Sequence, residues 1–356
     1  MADSMNSNLL PWHRSIWTEL GLQADRKAHA LLFSGPSGTG KRDLALHLGM
    51  YRFCEAPIDL SPCGVCHQCA LAGSGSHPDL HVLMPESDLE EGGRLAQAGL
   101  RYRPEKSSET TKPKRGIVVD QVRRLTGALS THPRMASVRM VVVALAETMN
   151  LNAANAFLKI LEEPPPNTQL ILVSTDASRL LPTLRSRCSP LELPLPSLSQ
   201  GVEWLCQQGV EKQLGESLLR ATGRQPLTAL KWNNNNWIEL REELFMLLLQ
   251  MMEGKQTPLE VAKKLTKYDS SMLINWIVGY IESMIRTEVL NSQEEGDLMV
   301  PAESVRKRWP PRFTLNLFRV YDYLLSLLNK MEGPGGLDEQ LVLEDSLLML
   351  NKIKTA

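Results

Sequence analysis

A glycine-rich loop near the amino terminus has the residue types of a phosphate-binding loop. Gly35 follows an apolar run, four residues separate it from Gly40, and Lys41 comes next. This spacing is that of a P-loop, in which backbone N–H groups surround a nucleotide's phosphates and the lysine reaches them. The next residue in a P-loop ATPase is Ser or Thr, whose hydroxyl binds Mg²⁺. Here it is Arg42, which places a cation where the metal would lie.

The acidic residues of an ATPase are also missing from the expected place. P-loop ATPases end a second apolar strand in Asp, often followed by Glu, to hold Mg²⁺ and position water. The corresponding run here ends in Ala144 and Leu145, and Glu147 and Glu162 come only after its end. Because all these losses affect the same metal, the sequence predicts no Mg²⁺-dependent ATP hydrolysis. Lys41 and the loop amides could still bind ATP or a phosphate. Alternatively, the glycines could be present only because the turn requires their backbone conformation. The residue types do not decide between these two interpretations.

Four cysteines form the second group with recognisable chemistry. The predicted metal ligands are Cys54, Cys63, Cys66 and Cys69. Three of these thiols lie within seven positions, which argues against free or merely packed cysteines. Four thiolates without an open position favour structural Zn²⁺ over a catalytic metal. His67 or His77 could replace Cys54 as the fourth ligand.

Composition and charge limit the kinds of protein this chain can be. Its 356 residues are too many for one ordinary core, and 43% hydrophobic with 22% charged residues is typical of a soluble globular protein. The net charge of -1 gives no overall reason to bind nucleic acid or a membrane. Without a membrane-length apolar run or a signal-peptide pattern, we expect no membrane partner and a cytoplasmic location. In that reducing compartment we expect Cys188 and Cys206 to be buried small hydrophobic residues.

Short apolar strands alternate with helices over residues 1–194, which predicts an α/β domain with a parallel sheet and helices on both faces. The predicted strands are residues 30–34, 80–84, 139–145 and 170–174. The predicted helices are residues 41–53, 119–129 and 153–161. Residues from about 85 to 115 are polar and rich in Gly, Ser and Pro, so we expect a mobile insertion there.

The pattern after a cluster of prolines at positions 190–196 is helical to the end of the chain. A polar break at positions 233–236 divides this part in two. We therefore predict a small helical domain over residues 195–235 and an all-helical domain over residues 236–356.

Together these motifs resemble the clamp-loader branch of the AAA+ proteins. The resemblance rests on the glycine-rich loop and on residues 116–123, 146–165, 174–176 and 184–188. It covers residues 1 to about 235, while the C-terminal helices match only in character. It implies an AAA+-like α/β domain with a zinc module, followed by a helical lid and a collar domain that joins subunits. Thr175 takes the position that this family calls sensor 1.

The resemblance also implies a role for the Ser-Arg-Cys motif. In this family the motif's arginine, here Arg187, enters the ATP site of a neighbouring subunit as an arginine finger, and Ser186 supports the loop. A guanidinium against the γ-phosphate contributes about 10³–10⁵ in rate. Arg185 is a competing cation, and an ordinary surface arginine is the alternative interpretation of Arg187.

Within the family, the damaged loop resembles a non-motor subunit of the bacterial DNA polymerase III clamp loader. The expected sensor 2 arginine falls on Pro226, beside Arg224. The resemblance implies the gamma or tau ATPase subunits and the delta subunit as partners. It implies contact with the sliding clamp and primed DNA through the complex. The alternative is an active ATPase motor of the same family.

A third hypothesis is a free-standing zinc-dependent nucleic-acid binder. The net charge of -1 argues against this hypothesis. Separately, Arg123 and Arg124 could line the interior of a ring of subunits and meet DNA phosphates, and the basic run at positions 306–309 is a second candidate DNA contact, although most such runs are solvated surface.

Overall fold

The computed structural model describes residues 9–22, 29–90, 92–104, 113–290, 313–331 and 338–353. The chain divides into two compact units. The first contains the residues up to Gln207 together with Arg224–Thr228, and the second contains Gln208–Gly223 and the residues from Ala229 onward. The segment predicted as a small helical domain, residues 195–235, is therefore shared between the two units. Its existence as a separate lid stays a prediction.

The first unit is built on a five-stranded parallel sheet. The strands are β1 (Ala30–Ser34), β2 (Leu80–Leu83), β3 (Arg139–Ala144), β4 (Thr168–Val173) and β5 (Ser189–Glu192). Their order across the sheet is β2-β3-β4-β1-β5, and each neighbouring pair is parallel. The register places Phe33 of β1 beside Val173 on one side and Leu191 on the other. The predicted parallel α/β sheet is confirmed, and its four predicted strands agree with the observed ends to within two residues.

The fifth strand is not signalled by the sequence pattern. Its four residues are Ser-Pro-Leu-Glu, and Pro190 cannot donate a hydrogen bond to a ladder. The proline is tolerated because β5 lies at the edge of the sheet, where it pairs only with β1. Tertiary pairing, rather than intrinsic propensity, makes this segment a strand.

Helices pack on both faces of the sheet. Those of this unit are α1 (Arg14–Leu22), α2 (Lys41–Phe53), α3 (His67–Gly73), α4 (Glu86–Glu90), α5 (Arg94–Gly99), α6 (Val119–Leu129), α7 (Leu151–Glu162), α8 (Pro182–Arg185) and α9 (Leu198–Gln207). Successive strand residues enter different core clusters, because side chains alternate across a strand. In β3, Met140 packs with Leu44 of α2, and Val141 packs with Phe157 of α7. The sheet thus separates two apolar cores.

Residues 86–90 and 92–104 fold onto this core instead of forming a mobile insertion. They contain α4, α5 and a 3-10 turn at Leu100–Tyr102. Leu89 and Leu95 belong to the α2-side core cluster, and Tyr102 is 2% exposed. The expectation of a mobile segment was wrong over these residues, since a few well-spaced apolar side chains outweigh a polar average composition. Positions 91 and 105–112 of the expected insertion lie outside the described residues.

The regular elements described in the second unit are all helices. They are α10 (Lys212–Ala221), most of α11 (Pro226–Asn234), α12 (Trp237–Met252), α13 (Pro258–Leu265), α14 (Ser270–Leu290), α15 (Phe313–Met331) and α16 (Glu339–Lys352). Leu244, Ile277 and Leu347 are fully buried on three of these helices. Among the described residues, no helix combines the length and apolar character needed to cross a membrane. A role for this unit in joining subunits stays a prediction.

Candidate functional site

The glycine-rich loop connects the end of β1 to the start of α2, as its pattern predicts. Gly35, Gly38 and Gly40 have φ angles of 133°, 65° and 85°, a region that favours glycine. A Cβ on Gly35 would lie 2.3 Å from the carbonyl oxygen of Leu193, so a side chain cannot be placed there. Gly40 immediately precedes α2, so the loop leads directly into the amino end of that helix, where unpaired N–H groups favour an anion. The backbone shape of a phosphate cradle is therefore present.

Lys41 is buried and held by the loop's own carbonyl groups. Its Nζ donates to the carbonyl oxygen of Gly35 at 2.7 Å and to that of Pro36 at 2.5 Å. The side chain is only 5% exposed. Burial lowers the pKa of Lys41 to about 8, and the carboxylate of Glu147 opposes this effect. The ammonium group remains mostly charged at neutral pH and is hydrogen-bonded without a phosphate.

The amino-terminal segment packs against the loop from one side. Trp12 donates its Nε1 to the carbonyl oxygen of Thr39 at 2.8 Å. A Cβ built on Gly40 would lie 2.1 Å from Cδ1 of Leu10 and 3.0 Å from Cε1 of His13. Burial lowers the pKa of His13 to about 4, so this imidazole is neutral at pH 7. The amino-terminal segment therefore fills the space beside Gly40, the last glycine of the loop.

The residues at the start of α11 pack against the loop as well. Ser37 donates its hydroxyl to Oε1 of Gln225 at 2.8 Å, and the N–H of Leu227 donates to the carbonyl oxygen of Gly38 at 3.1 Å. Arg224, near the expected sensor 2 position, is exposed and has a φ of 61°. The residues that contact the loop here are thus uncharged.

Arg42 occupies the position of the metal-binding hydroxyl and forms an ion pair. Its Nη2 lies 2.5 Å from Oδ2 of Asp88 on α4. The cation is therefore balanced by a carboxylate of the same chain, from the segment expected to be a mobile insertion. Position 42 offers no oxygen ligand to Mg²⁺, which coordinates oxygen atoms.

Glu147 connects the sensor 1 position with the loop. It lies in a 3-10 turn after β3, and its Oε1 accepts the N–H of Thr175 at 2.9 Å and the hydroxyl of Thr175 at 2.5 Å. Its Oε2 is buried and has no hydrogen-bond partner in the described part of the chain. The negative charge of the same carboxylate raises the pKa of Lys41. The position of Glu147 after β3 in the sequence does not predict its contact with Thr175, because the chain changes direction at the turn that includes Leu145.

Arg187 lies at the protein surface just after α8. Its Nη1 donates to the carbonyl oxygen of Thr183 at 3.1 Å, and its Nη2 lies 2.8 Å from Oε1 of Glu162. The guanidinium side chain remains 39% exposed. Ser186 donates its hydroxyl to the same carbonyl of Thr183 at 3.1 Å, so both motif residues are anchored at one point. Arg185 is exposed too, and within the described ranges it forms no ion pair.

The four predicted cysteines come together. Their Sγ atoms all lie within 4.8 Å of one another, and those of Cys63 and Cys69 are 4.0 Å apart. A tetrahedral four-thiolate site with metal–sulfur bonds of about 2.3 Å needs sulfur atoms roughly 3.8 Å apart. The N–H groups of Val65 and Cys66 lower the pKa of Cys63 to about 6, which favours its thiolate. Together with Cys54, these residues could hold a metal ion of that size.

Neither histidine considered as a replacement ligand belongs to this group. His77 is buried, with Nε2 2.6 Å from Oε1 of Gln68 and with Nδ1 accepting the N–H of Asp79 at 3.1 Å. Both of its ring nitrogens are therefore engaged elsewhere. His67 is exposed at the first position of α3.

The two isolated cysteines differ in burial. Cys188 is 7% exposed and belongs to the α7-side core cluster, and burial raises the pKa of its thiol to about 11. Cys206 is exposed, contrary to expectation. It lies in the last turn of α9, where the chain leaves the packed surface.

The candidate DNA contacts on α6 have different surroundings. Arg124 donates to the carbonyl oxygens of Arg103 at 2.8 Å and Arg101 at 2.6 Å. Arg123 pairs with Asp120 at 3.4 Å, and both side chains are 73% exposed. Arg124 is thus used to hold a neighbouring segment, whereas Arg123 faces solvent. The basic run at positions 306–309 lies outside the described residues.

Known proteins resemble the chain over most of its length. A family model described as DNA polymerase III, delta subunit, matches residues 15–197. DNA polymerase III subunit delta' of Pseudomonas aeruginosa is 30% identical over 344 residues, which are 96% of this chain and 97% of that protein. The same subunit of Escherichia coli is 34% identical over 238 residues, which are 66% of this chain and 64% of that protein.

Among solved structures, a gamma-subunit-related protein of DNA polymerase III from Thermotoga maritima aligns with 95% of this chain and 99% of its own. The alignment has 16% sequence identity and a TM-score of 0.45. The family match at residues 15–197 includes the sheet, the glycine-rich loop, the four cysteines and Arg187.

Proposed function

The chain belongs to the DNA polymerase III delta' family, and we propose that it is the clamp-loader subunit that supports ATP hydrolysis without performing it. In this proposal it assembles with gamma or tau ATPase subunits and the delta subunit in the bacterial cytoplasm. The complex places the sliding clamp on primed DNA. The chain contacts clamp and DNA through that complex and contributes Arg187 to the ATP site of a neighbouring subunit.

The ion pair between Arg42 and Asp88 is the observation that carries the non-hydrolysing part of the proposal. It puts a neutralised cation at the position from which an ATPase presents a hydroxyl to Mg²⁺. β3 ends in Ala144, so the usual Asp ligand is missing as well. With neither ligand, a bound nucleotide would lack the metal that neutralises charge developing on the transferred phosphoryl group.

The exposed ion pair of Arg187 supports a role as an arginine finger. An exposed ion pair such as that with Glu162 is worth about 0–1 kcal/mol. A finger that raises the rate about 10³–10⁵-fold lowers the barrier by roughly 4–7 kcal/mol. Moving the guanidinium from Glu162 to a γ-phosphate of a neighbour therefore costs little compared with its effect there. Ser186, bonded to the same carbonyl as Arg187, would position the loop.

We assign the four-cysteine cluster to structural Zn²⁺. Cys54 follows α2 and Cys69 lies within α3, so a bound metal would join the ends of these two helices across the intervening loop. Four thiolates leave no position for a substrate or a reactive water. The metal therefore stabilises the fold and takes no part in phosphoryl transfer.

The proposal is tested by comparing the purified chain with the reconstituted clamp loader. With Mg-ATP, clamp and primed DNA, the chain alone should hydrolyse ATP no faster than background. Adding it to gamma or tau and delta subunits should produce DNA-stimulated ATPase activity and clamp loading. Turnover by the chain alone that disappears in Lys41→Ala would contradict the proposal. Arg14→Gln, an exposed change on α1, is the matched surface control.

The alternative, an active ATPase motor, is favoured by one observation. Glu147 accepts hydrogen bonds from Thr175 and raises the pKa of Lys41, and its Oε2 is buried without a hydrogen-bond partner in the described part of the chain. In a motor, Glu147→Gln would abolish turnover by the isolated chain. Under our proposal there is no turnover to lose, and the variant changes only the charge around Lys41. Titration with a fluorescent ATP analogue separately determines whether the loop binds nucleotide.

A further inference from the structure

A cationic cavity lies beside the amino-terminal ends of β2 and β3, whereas the glycine-rich loop follows the carboxyl end of β1. Its volume is about 130 Å³. The charged and titratable side chains that line it are Asp79, His81, Arg101, His132, Arg134 and Arg139. None of these residues belongs to the loop, the cysteine cluster or the Ser-Arg-Cys motif.

Positive charge dominates this cavity. Asp79 is its one lining carboxylate, and it already accepts the backbone N–H groups of Arg134 at 2.7 Å, Met135 at 2.8 Å and Ala136 at 2.9 Å. Although burial opposes it, these donors lower the pKa of Asp79 and keep it ionised. Three guanidinium groups less one carboxylate leave a net charge of +2. Burial lowers the pKa of His81 to about 4, so this imidazole adds no charge.

Arg139 is buried beside the cavity with an unused donor. Its side chain is 3% exposed, and its Nη1 makes a long hydrogen bond of 3.4 Å to the carbonyl oxygen of Ala128. Its Nε is buried and has no hydrogen-bond partner among the residues that the structure describes. A buried donor is normally satisfied, so this group indicates a ligand or ordered water at the cavity.

The other guanidinium groups are also free of carboxylate partners. Arg101 is held in place by carbonyl oxygens, at 3.0 Å from that of Pro78 and 3.4 Å from that of His77. Arg134 is exposed at the rim. Across the described ranges, neither forms an ion pair. Arginine presents N–H groups in a planar fork that matches the oxygens of phosphate groups.

We propose that this cavity binds one tetrahedral phosphate-type oxyanion, either as a free anion or as a single phosphate group of a nucleic acid. The net charge of the lining matches that of a phosphate dianion. The volume of about 130 Å³ is well above the roughly 10–15 Å³ that a single water molecule requires, so the cavity has room for an anion.

The test is calorimetric titration of the full chain with inorganic phosphate at constant ionic strength. We expect saturable binding that Arg134→Gln weakens about tenfold, since it removes one charged donor. The Arg134 side chain makes no hydrogen bond within the described structure, so the variant should fold, which circular dichroism checks. Arg14→Gln, an exposed arginine far from the cavity in sequence, is the matched control and should bind as the wild type does.

Two further experiments distinguish phosphate bound in this cavity from phosphate bound at the glycine-rich loop, and a free anion from a nucleic acid. Lys41→Ala removes the lysine of the glycine-rich loop, so phosphate binding that persists in this variant belongs to the cavity. Loss of binding in Lys41→Ala, unchanged binding in Arg134→Gln, or equally tight binding of acetate would overturn the proposal. A short DNA duplex that displaces phosphate from the wild type identifies a nucleic-acid phosphate as the ligand, and failure to displace it identifies a free anion.

Discussion

Thr175 donates both its backbone N–H and its hydroxyl to Oε1 of Glu147, at 2.9 Å and 2.5 Å. Through this carboxylate, the sensor 1 position is electrostatically linked to Lys41 of the glycine-rich loop. The three residues come from the end of β4, the turn after β3 and the start of α2. These three residues are thus linked across separate elements, while Arg42 pairs with Asp88 and β3 ends in Ala144.

Replacing Glu147 should change the protonation of Lys41. Burial already lowers the pKa of Lys41 to about 8, and Glu147 raises it. Glu147→Gln removes a negative charge that favours the ammonium form, so the pKa of Lys41 should fall further below its ordinary value. NMR titration of the lysine side chains labelled at Cε measures it. Glu163→Gln, an exposed change just after α7, is the control, and an unaltered Lys41 titration in Glu147→Gln would refute the link.

Removing Arg187 should affect a neighbour's chemistry more than this chain's stability. In the reconstituted complex, Arg187→Ala should reduce hydrolysis at the neighbouring ATP site about 10³-fold or more. Arg187→Lys should restore little, since lysine lacks the planar fork. The unfolding temperature should hardly move, because the exposed pair with Glu162 contributes about 0–1 kcal/mol.

Arg185→Ala is the matched control for this prediction, because Arg185 is an exposed arginine of the same segment. Single-turnover ATPase measurements and gel filtration of the assembled complex give the two readouts. Full hydrolysis in Arg187→Ala, or an equal loss in Arg185→Ala, would rule out the assigned finger.

The cysteine cluster should contain about one Zn²⁺ per chain. Elemental analysis of protein purified without chelator measures this, and Cys63→Ser should lose the metal. Such sites bind Zn²⁺ with about 10–16 kcal/mol at pH 7, so metal removal should loosen the loop between α2 and α3 and increase its cleavage by protease. Cys206→Ser, an exposed cysteine outside the cluster, should keep its zinc. Zinc-free wild-type protein with the same protease resistance would contradict the assignment.

Buried histidine should make the first unit sensitive to acid. His47 is fully buried against Trp17, and burial lowers its pKa from 6.5 to about 4. Between these values the unfolded chain binds more protons than the folded one, so stability falls as pH drops from 6.5 toward 4. One such histidine costs about 2 kcal/mol between pH 7 and pH 5.

His47→Leu should therefore lose about 2 kcal/mol less stability than the wild type between pH 7 and pH 5. Urea unfolding followed by tryptophan fluorescence at the two pH values gives this difference. His132→Gln changes an exposed histidine and should behave like the wild type. An equal pH dependence in His47→Leu and wild type would show that His47 is not the group responsible.

Local signals predict the elements around the loop well. The bounds of β1, α2 and α6 agree with the sequence-based prediction, because apolar runs and helical periodicity mark them without help from distant residues. The same signals fail for residues 86–90 and 92–104, where a few buried side chains decide the structure. They also fail for β5, which is a strand because its backbone pairs with the otherwise unpaired edge of β1.

The sequence by itself determined which chemical groups are present. Four cysteines at metal-binding spacing, Lys41 after three loop glycines, and the missing hydroxyl at position 42 are matters of residue identity. Only the tertiary structure decided what those groups contact. It paired Arg42 with Asp88, joined Glu147 to Thr175, and gathered three arginines around one cavity. Such contacts join segments far apart in the chain, and their distances depend on how the elements pack rather than on local propensity.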